Sequence, residues 1–525
     1  MRYSTPSWRA VAALVVSLTL SLTLSLVASP AGAQLPDTAD VARGVVRRTD
    51  GTPLPRATVY LLETLESAST DSAGRFRLRA AHRGLATLVV RGVGFRPLAV
   101  DVELPVDSAL TLTLERQPVI LSDIAVVAAG EYTIGTAQSS TLTPLEVVQT
   151  PGAAGNVSRA IQTLPGVQGV DEGTGLFVRG GDVTETRVLI DDAWVISPFR
   201  FDNPTGHVTS TVNPFLLQRT VFTAGAFGAR YGNALSGMIR METADAPTRP
   251  TASLTASVGG ATAAGAVRVH DRLSVRGSAG VSTLSPLFAV FGEAQPFAPA
   301  PRGGDASLSV EWKSGRAGRV RWFGVQQHAE FGVGGATRVA SNADGPSSDR
   351  YLANTTETMH VLSWRDSSTA WRPAITAAWS GFARDESTGD FALRTQLRSP
   401  QLVASLGYVT SRGGRATAGI EHEQQTATYR GDGADRTTPL FDITSRSTRR
   451  AVFGEWQQRV AERWTLTTGV RSDASTLTGR RTVDPRIGIA GRVGPFGFSG
   501  AWGRYHQVAE PTFNRATDFA PMRAD

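Results

Sequence analysis

The 525-residue chain contains no cysteine, so disulfides and thiolate metal sites are excluded. Lys313 is its only lysine, and its basic residues are otherwise arginines. The formal charge of +7 points at first to nucleic acid. The arginines, however, are scattered among apolar residues and form no basic stripe, so no nucleic-acid partner is expected. The seven histidines are dispersed. There is no H-E-x-x-H, since His422-Glu423 lacks a second histidine four residues on, and no G-x-S-x-G. Metallopeptidase and serine-hydrolase chemistry therefore have no motif here, and no catalytic residue, metal or cofactor is expected. Beyond the first residues there is no run of about eighteen apolar residues, so no helix is expected to span a membrane. Insertion into lipid would require a β-barrel.

The one long apolar run is Ala10 to Ala28. Arg2 and Arg9 precede it, and Ala31-Gly32-Ala33 follows. A basic start, an apolar run and a small-residue exit make a secretory signal peptide over 1–33, with cleavage before Gln34. From 34 to 117, strand-like runs recur at Ala42–Arg47, Thr58–Leu62, Arg75–Arg79, Ala86–Arg91, Leu98–Leu104 and Ala109–Leu114. Turn formers such as Asp71-Ser72-Ala73-Gly74 separate them. Short strands at this spacing predict a small β-sandwich. The motifs Gly44-Val45-Val46, Pro53 to Val59 and Thr70 to Phe76 resemble those of the carboxypeptidase-regulatory-like domain. That resemblance implies an accessory domain without catalytic residues.

From Gly173 to Met241 the texture changes. Alternating runs at Leu176–Arg179, Arg187–Ile190 and Gly237–Glu242 are separated by Gly180-Gly181-Asp182, Asp191-Asp192, Gly228 and Gly232. These are strands joined by tight turns. Thr143-Pro144-Leu145-Glu146 predicts a capped helix start, and Val157 to Leu164 a second short helix stopped by Pro165-Gly166. Leu164 to Val167, Phe177 to Gly181, Val188 to Asp191 and Ala229 to Gly232 resemble, in order, the motifs of the plug domain of TonB-dependent outer-membrane receptors. We assign 138–246 to this domain. Two positions depart from the pattern: Asp192 stands where the family usually has glycine, and Gly228 where it usually has proline. Asp tolerates left-handed turns, so the hairpin reading survives the first departure. Arg179, Gly180, Gly181, Asp191, Arg230, Tyr231 and Gly232 are the expected plug turn and lumen contacts. Arg179, Arg187, Arg219, Arg230 and Arg240 are candidates to meet carboxylates on an inner barrel wall; otherwise they are solvated surface charges.

Between these domains, in a linker over 118–137, runs Leu121 to Ala128, an apolar segment with one acid near its start. It resembles a TonB box. That resemblance implies that Asp123, Ile124, Ala125, Val126 and Val127 contact TonB by adding a strand to a partner's sheet edge. The alternative is the last strand of the first domain, and periodicity alone does not decide between them.

From 247 to 525, fourteen segments alternate apolar and polar residues. They include Phe391–Leu397, Leu402–Thr410, Arg415–Glu423 and Val452–Val460. Short turns alternate with longer polar stretches such as 334–349. This is the texture of a transmembrane β-barrel, and the segments are longer than most soluble strands. Trp312, Trp364, Trp371, Trp456, Trp464 and Trp502 are candidates for an interfacial girdle. Receptor barrels of the resembled family have about twenty-two strands, so the chain is expected to hold only the N-terminal part of one and not to insert alone. The fold class is mainly β: a small sandwich, an α+β plug and an incomplete antiparallel barrel. The resemblance implies a non-enzymatic receptor in the outer membrane of a Gram-negative-type bacterium. Its partners would be the TonB complex, membrane lipid and a small extracellular ligand. Siderophore, oligosaccharide, peptide and cobalamin all remain open as ligands. The alternative is an exported adhesin or carbohydrate-binding protein of two packed sheets.

Overall fold

The computed structural model describes residues 39–115 and 139–508. Short stretches within them fall outside the described residues: 56, 62–65, 81–82, 93–94, 96–97, 107, 154, 170–174, 201–208, 211, 258, 292–298, 316–317, 335–349, 412, 434–437, 461–463 and 494–495. The expected signal peptide over 1–33 and the expected TonB contact Asp123 to Val127 also lie outside them.

Strict alternation builds the N-terminal unit. In Arg75–Ala80 the arginines face water while Phe76, Leu78 and Ala80 are buried. This strand pairs with Ala39–Arg48, which pairs in parallel with Leu110–Leu114. A second sheet runs in the order Ser67–Ser69, Thr58–Leu61, Gly84–Arg91, Leu98–Leu104. Val46, Leu78, Leu88, Val90 and Leu114 fill the core. Ser67–Ser69 carries no apolar alternation, and that explains why the sequence pattern passes over it.

The plug is a five-stranded sheet in the order Ala193–Trp194, Thr186–Ile190, Gly237–Thr243, Leu217–Thr223, Ser139–Leu142. Only Thr186–Ile190 against Gly237–Thr243 is parallel. Two short helices flank it. Pro144–Gln149 opens with a capping box: Thr143 Oγ1 accepts from the Glu146 amide while the Glu146 carboxylate accepts from the Thr143 amide. This reciprocal bonding satisfies two donors that a helix start leaves open. Val157–Gln162 is capped by Asn156.

A single antiparallel sheet of thirteen strands follows, each paired with the next in sequence from Thr251–Ser257 to Phe496–Gly503. Thirteen replaces the expected fourteen because Phe391–Leu397 and Leu402–Thr410 are one strand, Phe391–Val409. Pro400 reads as a breaker, yet it sits opposite Trp379 on one neighbouring strand. Its missing N–H coincides with a gap in the register toward the other neighbour, between Arg398↔Thr426 and Gln401↔Glu423. Inward positions on these strands are buried against the plug: Phe323, Met359 and Val361 join a core with Ile190, Leu217 and Ile239. Outward positions carry exposed apolar residues, among them Leu362, Ile375, Leu402, Ile420, Val452, Val470 and Ile487. Two packed soluble sheets would bury such residues. Tight turns at 271–272 and 366–370 lie at one end, and the strands flanking the longer connections 284–301 and 334–350 meet them at the other. Trp312, Trp364, Trp371, Trp456 and Trp464 stand at the tight-turn end, where Trp371 packs against Tyr408 with ring centroids 4.7 Å apart. Among the described residues no helix is long and apolar enough to cross a membrane.

Candidate functional site

The face where the plug meets the wall formed by the thirteen-stranded sheet concentrates the buried polar groups. At its centre is the two-residue turn Asp191-Asp192, with φ of 46° and 72°, joining Thr186–Ile190 to Ala193–Trp194. Positive φ at both central residues is the twist a tight hairpin requires, and Asp tolerates it. Both carboxylates are used. Asp191 accepts from the Thr243 amide at 3.1 Å and from Thr243 Oγ1 at 2.5 Å. Its carbonyl accepts from Thr376 Oγ1 of the wall at 3.2 Å. Asp192 accepts from Arg230 of the plug at 2.7 Å and from Arg365 of the wall at 2.9 Å. The usual glycine would supply the turn but neither ion pair. Beside the turn, wall residue Gln401 brackets Trp194. Its Oε1 accepts from the Trp194 amide at 2.7 Å and its Nε2 donates to the Trp194 carbonyl at 2.8 Å.

Deeper in the same face three guanidinium groups meet three carboxylates. Arg187 of the plug donates to Glu423 at 2.6 Å and to Glu421 at 3.3 Å. Arg449 donates to both glutamates, at 2.5 and 2.6 Å, and to Asp473 at 3.1 Å. Arg471 donates to Glu421 and Asp473, each at 2.6 Å. The arginine side chains are 6%, 7% and 0% exposed. Burial of charge on this scale is tolerated only when charges balance and hydrogen bonds are filled. The cluster is formally neutral, and only one of its six groups belongs to the plug. It ties the plug to the wall through Arg187, which also donates to the Gly232 carbonyl at 3.0 Å, and through the bond from Arg471 to the Arg230 carbonyl.

The loop from Ala226 to Asn233 forms the third contact. Arg486 Nη1 of the wall donates to the carbonyls of Phe227, Gly228 and Tyr231 at 3.2, 2.6 and 2.6 Å. Glu455 accepts from the Ala229 amide at 2.7 Å, and Arg471 donates to the Arg230 carbonyl at 2.9 Å. These approaches set the glycines. A Cβ on Gly228 would collide with the Glu455 carboxylate, and one on Gly232 with the Arg471 guanidinium. The second departure from the family pattern, Gly228 for proline, thus has a local cause. Tyr231 turns its hydroxyl inward to accept from Arg240 at 2.6 Å.

Arg179 and Gly180 adopt φ of 52° and 80°. Gly181 has ordinary φ but no room: a Cβ there would lie 2.5 Å from Ser236 Cβ. Asp191, Arg230, Tyr231 and Gly232 all sit at the wall face. Of the five candidate arginines, Arg187 meets wall carboxylates. Arg219 and Arg240 bond Glu242 within the plug, at 2.7 and 3.3 Å, and Arg230 bonds Asp192. The larger share of the cross-links comes from the wall: Arg321, Arg365, Arg471, Arg486, Gln401 and Glu455. Sequence reasoning passed over these, although a signal existed. Glu421 and Glu423, Arg471 and Asp473, and Asp484 and Arg486 are charges two residues apart, on one face of a strand whose other face is apolar.

At the tight-turn end the plug and wall enclose a polar cavity of about 580 Å³ lined by Arg219, Arg230, Asp245, Arg321, Arg365 and Arg415, among others. Asp245, where the plug leaves for the first strand of the thirteen-stranded sheet, accepts from Arg319 and Arg321 at 2.7 Å each. Partial burial pushes its carboxyl up, but the two guanidinium groups outweigh this and hold it below its ordinary value. Among the described residues no group of three His, Asp or Glu is placed to hold a metal ion.

Comparison with known proteins places these features. Residues 42–116 match the carboxypeptidase regulatory-like domain, and 133–238 the TonB-dependent receptor plug domain. The ferrienterobactin receptor of Escherichia coli is 32% identical over 134 residues, 23% of this chain and 18% of that protein. The siderophore receptor PirA of Pseudomonas aeruginosa shares the fold with a TM-score of 0.53 at 16% identity, over 71% of this chain and 63% of that one. The outer membrane transporter YddB of Escherichia coli does so with a TM-score of 0.55 at 11% identity, over 72% and 63%. The chain thus spans less than two thirds of the length of these relatives. It carries a regulatory-like domain and a receptor plug domain, and it shares a mainly β fold with these solved structures.

Proposed function

We propose that this chain works in a TonB-dependent outer-membrane receptor that binds a scarce extracellular ligand and passes it to the periplasm with energy from TonB. The observation that carries the reading is the stoppered wall: a plug held against the inner face of an outwardly apolar sheet by hydrogen bonds and ion pairs. Such a seat closes a pore yet is breakable in steps, unlike a continuous apolar core. The signal peptide over 1–33 would export the chain, and Asp123 to Val127 would add as a strand to TonB. Tension on that segment would reach Ser139–Leu142 first. This edge strand is held by four register pairs to Leu217–Thr223. Peeling it would open a path beside the plug while the Arg187 cluster stays in place. Losing a partner of a buried ion pair costs about 3–5 kcal/mol, so partial opening is favoured over ejection. Arg179, Gly180 and Gly181 would keep the plug's own turn rigid during that movement.

A ferric siderophore is the first ligand to test, because the sequence relative is named a ferrienterobactin receptor and PirA a siderophore receptor. Cells lacking other receptors should accumulate radioiron from ferric enterobactin when the full-length receptor is expressed, and lose this on deletion of TonB. Accumulation that is indifferent to TonB would refute the coupling.

A further inference from the structure

On the outward face of four adjacent strands, the apolar belt gives way to polar residues at a definite step. The pairs that mark the step are Ala383 and Asp385, Pro400 and Arg398, Ile420 and His422, and Val452 and Arg450. The step moves along the register across the first three of these strands and is level across the last pair, where Ile420 and His422 face Val452 and Arg450. Just past it, on the side of the long connections, stand Arg398 and Arg450, with Arg446 two outward positions further along its strand, all exposed. Nearby outward arginines are neutralised: Arg394 bonds Asp385 at 2.6 Å and Arg430 bonds Asp432 at 3.1 Å. Among the described residues, Arg398, Arg446 and Arg450 make no hydrogen bond or ion pair. Arg398 and Arg446 are linked through Thr426, and Arg450 lies opposite His422. At ordinary sheet spacing Arg398 and Arg446 are roughly 10 Å apart, and Arg446 and Arg450 roughly 14 Å. The next carboxylate on that strand face, Asp442, lies further from the belt.

We infer that Arg398, Arg446 and Arg450 form a docking surface for a lipid bearing more than one phosphate, seated in the leaflet on the long-connection side. Its acyl chains would lie along Leu402, Ile420 and Val452, which are 40%, 50% and 51% exposed. Three unpaired guanidinium groups spread over that distance exceed what one phosphodiester needs, and guanidinium forks suit phosphate oxygens. Cations at the rim of an apolar belt are placed where a lipid headgroup meets water. The inference rests on the outer-membrane reading above.

The test uses the full-length receptor extracted from outer membranes in detergent, with native mass spectrometry after incubation with diphosphoryl lipid A, monophosphoryl lipid A or phosphatidylglycerol. Retention should be strongest for the diphosphoryl form. It should fall about five-fold in Arg450→Gln and about a hundred-fold in Arg398→Gln/Arg446→Gln/Arg450→Gln. Heat-dependent gel migration reports separately whether each variant is a folded membrane barrel, and so tests the outer-membrane reading by itself. If the triple variant does not fold, the single exposed substitution decides. Equal retention by wild type and Arg450→Gln, or no preference for the second phosphate, overturns the inference.

Discussion

Replacing Arg187 by methionine takes from the plug the one side chain it contributes to the six-membered ion cluster. Methionine keeps the length and apolar stem, so the change is chiefly one of charge. Two arginines would then face Glu421, Glu423 and Asp473, leaving one buried negative charge without a partner. Arg187 is 6% exposed and Glu423 9%, so solvent screens little of this. Orphaning one partner of such a pair costs about 3–5 kcal/mol. At about 1.4 kcal/mol per factor of ten, the seated plug should become roughly a hundred- to a few-thousandfold less favoured. Hydrogen exchange should show earlier labelling in Thr186–Ile190 and Gly237–Thr243, and cells should admit a large antibiotic. Glu423→Gln added to Arg187→Met restores the formal balance, and the double variant should recover part of the loss. Unchanged exchange and permeability in Arg187→Met, or a double variant worse than the two singles combined, would refute the argument.

Other outcomes follow from the same contacts. Gly181→Val should destabilise the plug and make the pore leaky, because its side chain would meet Ser236 and Glu185; a tight, fully active variant would show the turn to be misassigned. Ile124→Pro or Val126→Pro in the full-length receptor should abolish uptake but leave surface binding intact, since proline removes a donor and fixes φ; unchanged uptake would place the TonB contact elsewhere. The Asp245 carboxyl is held below its ordinary 3.8 in the folded state. Its tie to Arg319 and Arg321 is therefore fully present above that value and lost as pH falls below it. Acid titration monitored by exchange at the plug's exit should show this step, and Asp245→Asn should remove it.

The parts of this fold that were legible in the sequence are those where one strand face is apolar and the other polar. Arg75–Ala80 and Thr251–Ser257 are of this kind. The barrel strands run longer than their alternating segments because alternation fades where a strand leaves the belt. Pro439–Val460 showed only Val452–Val460, since its outward residues from Asp442 to Arg450 are polar. Ser139–Leu142 is nearly all Ser and Thr, and carries no pattern although it closes the plug sheet. The wall half of the site was hidden for another reason. Glu421, Arg449 and Arg471 are far apart in sequence, and only the register of three adjacent strands brings them together.

The central claim is that the plug sits against this wall, and a cross-link tests it most directly. A Cβ on Gly469 of the wall would lie 2.7 Å from Ala229 Cβ of the plug loop. A disulfide needs about 3.8 Å between Cβ atoms, so a shift of about 1 Å suffices. The chain has no native cysteine to confuse the result. In Ala229→Cys/Gly469→Cys, mild oxidation of the folded receptor should join the two thiols, seen as a single linked peptide pair after proteolysis. A receptor that is folded and active yet forms no such link would place the plug elsewhere and contradict the account.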